Sequence, residues 1–201
     1  MLWHRQIARW KGRRGFVDLR TVQLAALLVA WLGLFLPTIR AQQAKPSEYK
    51  VKAIYLYNFG KFVEWPEARE TRDQSAPFLI CVLGKDPFGS LLESTIKGED
   101  VNGMNLSAKR VSNAADATGC RILFISSSEA DRVVKILEEL HSKPILTVSD
   151  IANFCDRGGM IQFELKEEKV RFAVNMTAAE KAGLTLSSQL VKVATSVRRK
   201  P

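Results

Sequence analysis

The chain has 201 residues, 46% hydrophobic and 25% charged, with 30 basic and 21 acidic side chains and a formal net charge of +9. The imbalance is local: residues 1–41 hold seven basic residues and one acid, which leaves 23 basic and 20 acidic residues, or +3, on the remaining 160. A near-neutral remainder without a basic patch interleaved with aromatics argues against a nucleic-acid partner, and 160 residues suit one domain with a real core.

At the start, Arg5, Arg9, Lys11, Arg13, Arg14 and Arg20 precede the apolar stretch Val22–Leu36, which only Gln23 interrupts. The stretch is shorter than the roughly 20 residues that cross a bilayer core of about 30 Å. A basic beginning, a short apolar run and a small-residue exit predict a secretory signal peptide over residues 1–41, cleaved after Ala41. Ile39 fits the minus-three position poorly, so an uncleaved anchor is the alternative. Arg13–Arg14–Gly15–Phe16–Val17 resembles a twin-arginine export motif, although an ordinary arginine-rich leader is the favoured reading. Export excludes a cytosolic enzyme that uses diffusible nucleotides. The mature domain is then residues 42–201.

From Pro46–Ser47 to about Val63, Tyr49, Ile54, Leu56, Tyr57, Phe59 and Phe62 cover more than one helical face, which predicts a largely buried helix. Trp65–Pro66 is expected to end it, and residues 67–76 read as a connecting loop. Phe78–Leu83 predicts a strand. Asp86–Pro87 predicts an N-cap and first helical position, for a helix through Leu91, Leu92 and Ile96 that stops at Gly98. Met104–Val111 and Ile122–Ile125 read as strands. Ser126-x-x-Glu129 predicts a capping box, opening a helix with Val133, Ile136, Leu137 and Leu140 inward. A strand over Pro144–Val148, a short helix over Asp150–Phe154 and a tight turn at Gly158–Gly159 follow.

Ile161, Phe163 and Leu165 alternate with polar residues, as do Val170, Phe172 and Val174 beyond Glu167–Glu168. That pattern predicts a hairpin with one buried face. A short helix over Ala178–Ala182 ends at Gly183, and a closing helix spans Ser187–Val197, with Arg198–Arg199–Lys200 as its solvated end. Strand–helix alternation followed by a hairpin gives an α/β fold. It is a single compact three-layer domain with a mixed, mainly parallel sheet and a C-terminal β-hairpin and helix.

The patterns that carry catalysis are missing from the sequence. It has no Cys-x-x-Cys, His-Glu-x-x-His, Gly-x-Ser-x-Gly or phosphate-loop motif, so neither a metal site nor a cofactor is expected. His141, the only histidine after residue 41, stands at the polar end of a predicted helix without a nucleophile nearby. Gly84–Lys85–Asp86–Pro87–Phe88–Gly89 follows a strand, but it lacks nucleotide-binding glycine spacing and puts an acid where a phosphate would sit. Glu164, Glu167 and Glu168 read as solvated hairpin carboxylates. The reading is therefore of a protein that is not an enzyme.

Cys81, Cys120 and Cys155 remain after export, and an oxidising compartment allows two of them to pair. If the runs carrying Cys81 and Cys120 are neighbouring strands, a bridge between them is geometrically reasonable; buried free thiols stay open for all three. A thiol–disulfide enzyme would need one of them to be reactive. A small-ligand module is a further alternative, with Gly84, Lys85, Ser126, Ser127, Ser149 and Asp150 lining the crevice at the carboxyl ends of parallel strands. Such a module would feed a sensor kinase or receptor. The same six residues also suit caps and turns.

Several stretches in order resemble the YfiR family of periplasmic proteins. They are Tyr57-Asn-Phe-Gly-Lys-Phe-Val-Glu-Trp-Pro66, Ile80-Cys-Val-Leu-Gly84 with Asp86-Pro-Phe-Gly89, and Ile122-Leu-Phe-Ile-Ser126 with Ser128–Glu129. Leu146-Thr-Val-Ser-Asp150, Gly158-Gly-Met-Ile161, Val170-Arg-Phe172 with Asn175, Ala182-Gly-Leu184 and Leu186-Ser-Ser188 complete the match over residues 47–197. The resemblance implies a compact α/β regulator that represses a membrane-bound diguanylate cyclase through its periplasmic sensor domain. The output is lower cyclic di-GMP and less biofilm. It also implies sequestration by an outer-membrane lipoprotein, homodimers in some members, and other sensors as partners in others. Cys81 and Cys120 match the family's disulfide positions. Cys155 matches half of a second bridge whose other half falls at Gln162, so that bridge and any redox control resting on it are not expected here. Phe62, Val63, Trp65 and Pro66 form the candidate partner surface, because an aromatic–proline corner can anchor an interface; the competing reading places Trp65 against the core.

Overall fold

A computed structural model of the chain describes residues 48–66 and 76–199; the predicted leader, its Ala41 cleavage point and most of the predicted 67–76 loop lie outside them. In chain order, α1 (Glu48–Phe62) leads into β1 (Val63–Glu64), followed by β2 (Phe78–Leu83), α2 (Ser90–Ile96), β3 (Asp100–Val101) and β4 (Met104–Val111). Next come β5 (Cys120–Ile125), α3 (Val133–Glu139), β6 (Leu146–Ser149), β7 (Ile161–Lys166) and β8 (Lys169–Asn175). The chain closes with α4 (Met176–Lys181), β9 (Thr185–Leu186), α5 (Ser188–Lys192) and β10 (Ser196–Arg198).

Eight strands form one mixed sheet in the order β10-β8-β7-β6-β5-β2-β4-β3. The pairs β4–β2, β2–β5, β5–β6, β6–β7 and β8–β10 run parallel, while β3–β4 and β7–β8 are antiparallel. The central strands β2, β5 and β6 are buried on both faces, which is why they read as apolar runs. On one face Ile80, Val82, Ile122, Phe124, Leu146 and Val148 pack with Leu56 and Phe59 of α1 and Leu92 and Ile96 of α2. On the other, Cys81, Leu83, Leu123 and Ile125 pack with Val133 and Ile136 of α3 and with Leu140. The result is the three-layer α/β arrangement with a mainly parallel sheet that the sequence predicts.

Local boundaries depart from the sequence reading where a side chain competes for a backbone group. α1 ends at Phe62, because Val63 pairs with Leu186 before Pro66 is reached. Asp86–Pro87 does not open the next helix: Asp86 Oδ1 accepts the Phe88 N–H at 2.8 Å, its Oδ2 accepts from Arg110 Nε at 2.9 Å, and α2 starts at Ser90. Ser126 accepts the Ser128 N–H at 3.4 Å over a 3-10 turn while Glu129 pairs with Arg132, so no capping box forms and α3 starts only at Val133.

The predicted helix over Asp150–Phe154 is a run of turns. The Ser149 hydroxyl takes the Ile151 N–H at 3.0 Å, and Asn153 sits at φ 58°. Leu165 is 59% exposed at the hairpin tip, outside the buried face that the alternation predicts. The closing helix stops at Lys192; Thr195 N–H then donates to Phe172 O at 2.8 Å and Ser196–Arg198 continues as β10. Arg198 accordingly lies on a sheet edge, ion-paired with Asp156, and not at a helix end.

Candidate functional site

At the carboxyl ends of β2, β5 and β6, the six residues of the candidate crevice are engaged with their neighbours. Gly84 adopts φ +90°, and a Cβ there would stand 2.6 Å from Ser128 Oγ and Glu129 Oε1, so only glycine fits. Lys85 N–H donates to Ser128 Oγ at 2.9 Å, and Ser126 N–H donates to Leu83 O at 3.0 Å. Ser127 lies exposed in the 3-10 turn. The buried Ser149 hydroxyl donates to Ile125 O at 2.6 Å. Asp150 is covered by α1: Lys52 Nζ lies 2.6 Å from Asp150 Oδ2, and the Tyr49 hydroxyl donates to the same oxygen at 3.0 Å.

Lys52 is only 3% exposed and also pairs with Glu48 Oε1 at 2.6 Å, so one buried ammonium serves two carboxylates. Burial, followed by the charge of Asp150 and the hydrogen bond to it, pushes the Tyr49 phenol up to about 12. Sequence reading placed Tyr49 on the buried helix but did not foresee its tie to Asp150, and it did not single out Lys52. Its only sign was a lysine between apolar positions of a helix already expected to be buried.

The other end of α1 is apolar. Tyr55, Asn58, Phe59 and Phe62 line a groove of about 360 Å3 with Phe172, Gln189, Leu190 and Val193. Phe59 stacks on Phe163 and meets Phe172 edge-on, which fixes the groove floor. Val193, just past α5, is 64% exposed at its rim. Of the predicted partner residues, Phe62 lines this groove, whereas Val63 is buried in β1 and Pro66 lies exposed over Gly183. Trp65 is half-buried, edge-on to Phe78 at 5.3 Å. Its Nε1 is buried without a hydrogen-bond partner among the described residues. The structure therefore does not bring all four residues to one surface. Tyr55, Leu190 and Val193 were missed because their grouping depends on how α5 crosses α1.

Cys81 and Cys120 are joined by a disulfide between β2 and β5, with Cα atoms 5.9 Å apart. Cys155 is free and buried, and Gln162 Oε1 accepts its backbone N–H at 3.2 Å. Burial pushes the Cys155 thiol up to about 11, which leaves it protonated and unreactive at neutral pH. Among the described residues no group of three or more His, Cys, Asp or Glu could hold a metal ion, and no helix is long and apolar enough to cross a membrane.

Residues 49–195 match the YfiR/HmsC-like family. Among solved structures the chain is similar to a conserved domain protein from Vibrio cholerae O1 biovar El Tor strain N16961. That likeness has 15% identity and a TM-score of 0.44, over 60% of this chain and 54% of that one. It is also similar to the ABC domain in complex with L-Trp from Streptococcus pneumonia. There the identity is 10% and the TM-score 0.47, over 60% of this chain and 55% of that one. The chain spans about half the length of these two solved proteins.

Proposed function

The chain belongs to the YfiR/HmsC-like family, and from that premise we propose that it is an exported repressor of a membrane-bound diguanylate cyclase. Membership supports a periplasmic regulatory role in the cyclic di-GMP system and a role outside catalysis. The proposed steps beyond that are removal of the leader over residues 1–41 and binding of the cyclase's periplasmic sensor domain. Repression lowers cyclic di-GMP and biofilm formation.

The observation that carries the reading is the groove between α1 and α5. It is lined mainly by apolar side chains, and Val193 at its rim keeps 64% of its surface in water. An exposed apolar groove of this kind is a feature of protein-contact and ligand-binding sites. Tyr55, Phe62, Leu190 and Val193 are the anchors, with a partner's apolar side chain between them. An outer-membrane lipoprotein that sequesters the protein would relieve repression by covering the same groove.

The test uses a strain lacking the gene, restored with wild type or with Val193→Glu. Val193 is a surface residue, so the substitution should change stability by no more than about 0.5 kcal/mol. A charge in the groove should weaken binding to the purified sensor domain about tenfold or more, a loss of about 1.4 kcal/mol. Cyclic di-GMP should rise on deletion, return to normal with wild type and stay high with Val193→Glu. Full repression by Val193→Glu would remove the groove from the interface, and no rise on deletion would remove the cyclase as the target.

A further inference from the structure

Away from both ends of α1, the C-terminal end of α3, the turn before β7, the end of β8 and α4 line a half-open cavity of about 300 Å3. That volume stands at the lower edge of the range, about 300–1,000 Å3, that holds small ligands. Leu137, Leu140, Met160 and Ala178 give it an apolar wall. Its charged residues are mostly of one sign: Lys181 and Arg198 face one acid, Asp156, with which Arg198 is already paired. Lys181 is exposed on α4 and has no acidic partner among the described residues.

Thr147 lies in the wall and is 2% exposed. Its Oγ1 accepts the Met160 N–H at 3.2 Å, and its own hydroxyl proton meets no acceptor among the described residues. A buried donor without an acceptor is costly, and a ligand oxygen would recover that cost. Cys155, also in the lining, is protonated, so the wall adds no second anion.

We propose that this cavity is a binding site for a small organic monocarboxylate with an apolar body. Lys181 supplies the counter-charge, Thr147 supplies a hydrogen bond, and the hydrocarbon lies along Leu137, Leu140 and Met160. A single unpaired cation beside an apolar wall suits a monoanion with a tail better than phosphate, which several donors and charges recognise. The site shares no residue with the partner groove and does not depend on the cyclase being the target.

The experiment titrates the full chain with hexanoate, and in separate arms with 1-hexanol and inorganic phosphate, following backbone amide resonances. Hexanoate should bind saturably and shift the amides of Cys155 and Ala178. 1-Hexanol and phosphate should each bind at least about tenfold more weakly. Lys181→Gln, an exposed helical change, should keep the melting temperature and weaken hexanoate about tenfold. Ala178→Leu, which fills the cavity, should abolish the shifts. Absence of saturable hexanoate binding, an unchanged affinity in folded Lys181→Gln, or phosphate binding as tightly as hexanoate would each overturn the proposal.

Discussion

The two ends of α1 solve opposite problems. Toward its N-terminal end, Lys52 and Tyr49 reach Asp150 just past β6, and polar groups are buried against one another. Toward its C-terminal end, Tyr55 and Phe62 leave an apolar groove open beside α5, with Val193 in water at its rim. Doubly wound folds commonly take ligands at the carboxyl ends of their strands, yet that is where this chain uses its polar side chains on its own backbone and helix. The surface left without an internal partner is apolar and lies elsewhere.

The largest effect should come from what both ends share. Replacing Cys81 and Cys120 by serine frees a loop spanning 39 residues between β2 and β5. It should cost about 4 kcal/mol in the chain-entropy model, read as a drop in the denaturation midpoint by circular dichroism. Both the clasp and the groove would then be lost together, in proportion to the unfolded fraction.

Next comes the clasp alone. Lys52→Met leaves Glu48 and Asp150 facing each other without their cation, and breaking a buried pair costs about 3–5 kcal/mol. Glu48 is 40% exposed, so the lower end, about 3 kcal/mol, is expected. Adding Asp150→Leu to Lys52→Met should recover most of the loss in urea denaturation. Sensor-domain affinity per folded molecule should stay unchanged; a fall in that affinity with stability restored would show that the two ends are coupled.

A smaller effect separates core from interface at the corner between them. Trp65→Ala removes the edge contact with Phe78 from a half-buried site. About 2 kcal/mol should be lost, below the 3–5 kcal/mol of a fully buried aromatic. Trp65→Phe should recover the packing without the orphaned indole N–H. Calorimetry of the two variants, with binding measured at a temperature where both are folded, checks this. Lost binding in folded Trp65→Ala would extend the partner surface past Phe62 to the corner.

Much of the scaffold was legible in the sequence, because β2, β5 and β6 are apolar on both faces and so announce a covered, mainly parallel sheet. Strand adjacency also brings Cys81 and Cys120 within bridging distance, as the conditional reading required. Boundaries failed where a short polar side chain bonded the backbone: Asp86 at Phe88, Ser126 at Ser128 and Ser149 at Ile151. Such bonds follow the local path of the chain and leave no periodicity to read. β10 was hidden for a different reason, since Ser196–Arg198 becomes a strand only because β8 offers it an edge. Of the candidate surface, Phe62 was visible as part of the aromatic–proline corner, but Val193 and Leu190 join it only through the crossing of α1 and α5.

The finest probe of the contrast is alkaline pH. Burial, with Asp150 close by, raises the Tyr49 phenol from 10.0 to about 12, so the folded chain holds its proton where the unfolded chain has released it. The stability that this group contributes is complete below about pH 10 and is lost as the pH climbs toward 12. Tyr49→Phe should therefore flatten the fall in unfolding free energy over that interval relative to wild type, while lysine deprotonation acts equally on both. Equal slopes for wild type and Tyr49→Phe would mean that the phenol is not held against Asp150 in solution. The clasp would then reduce to Lys52 and its two acids.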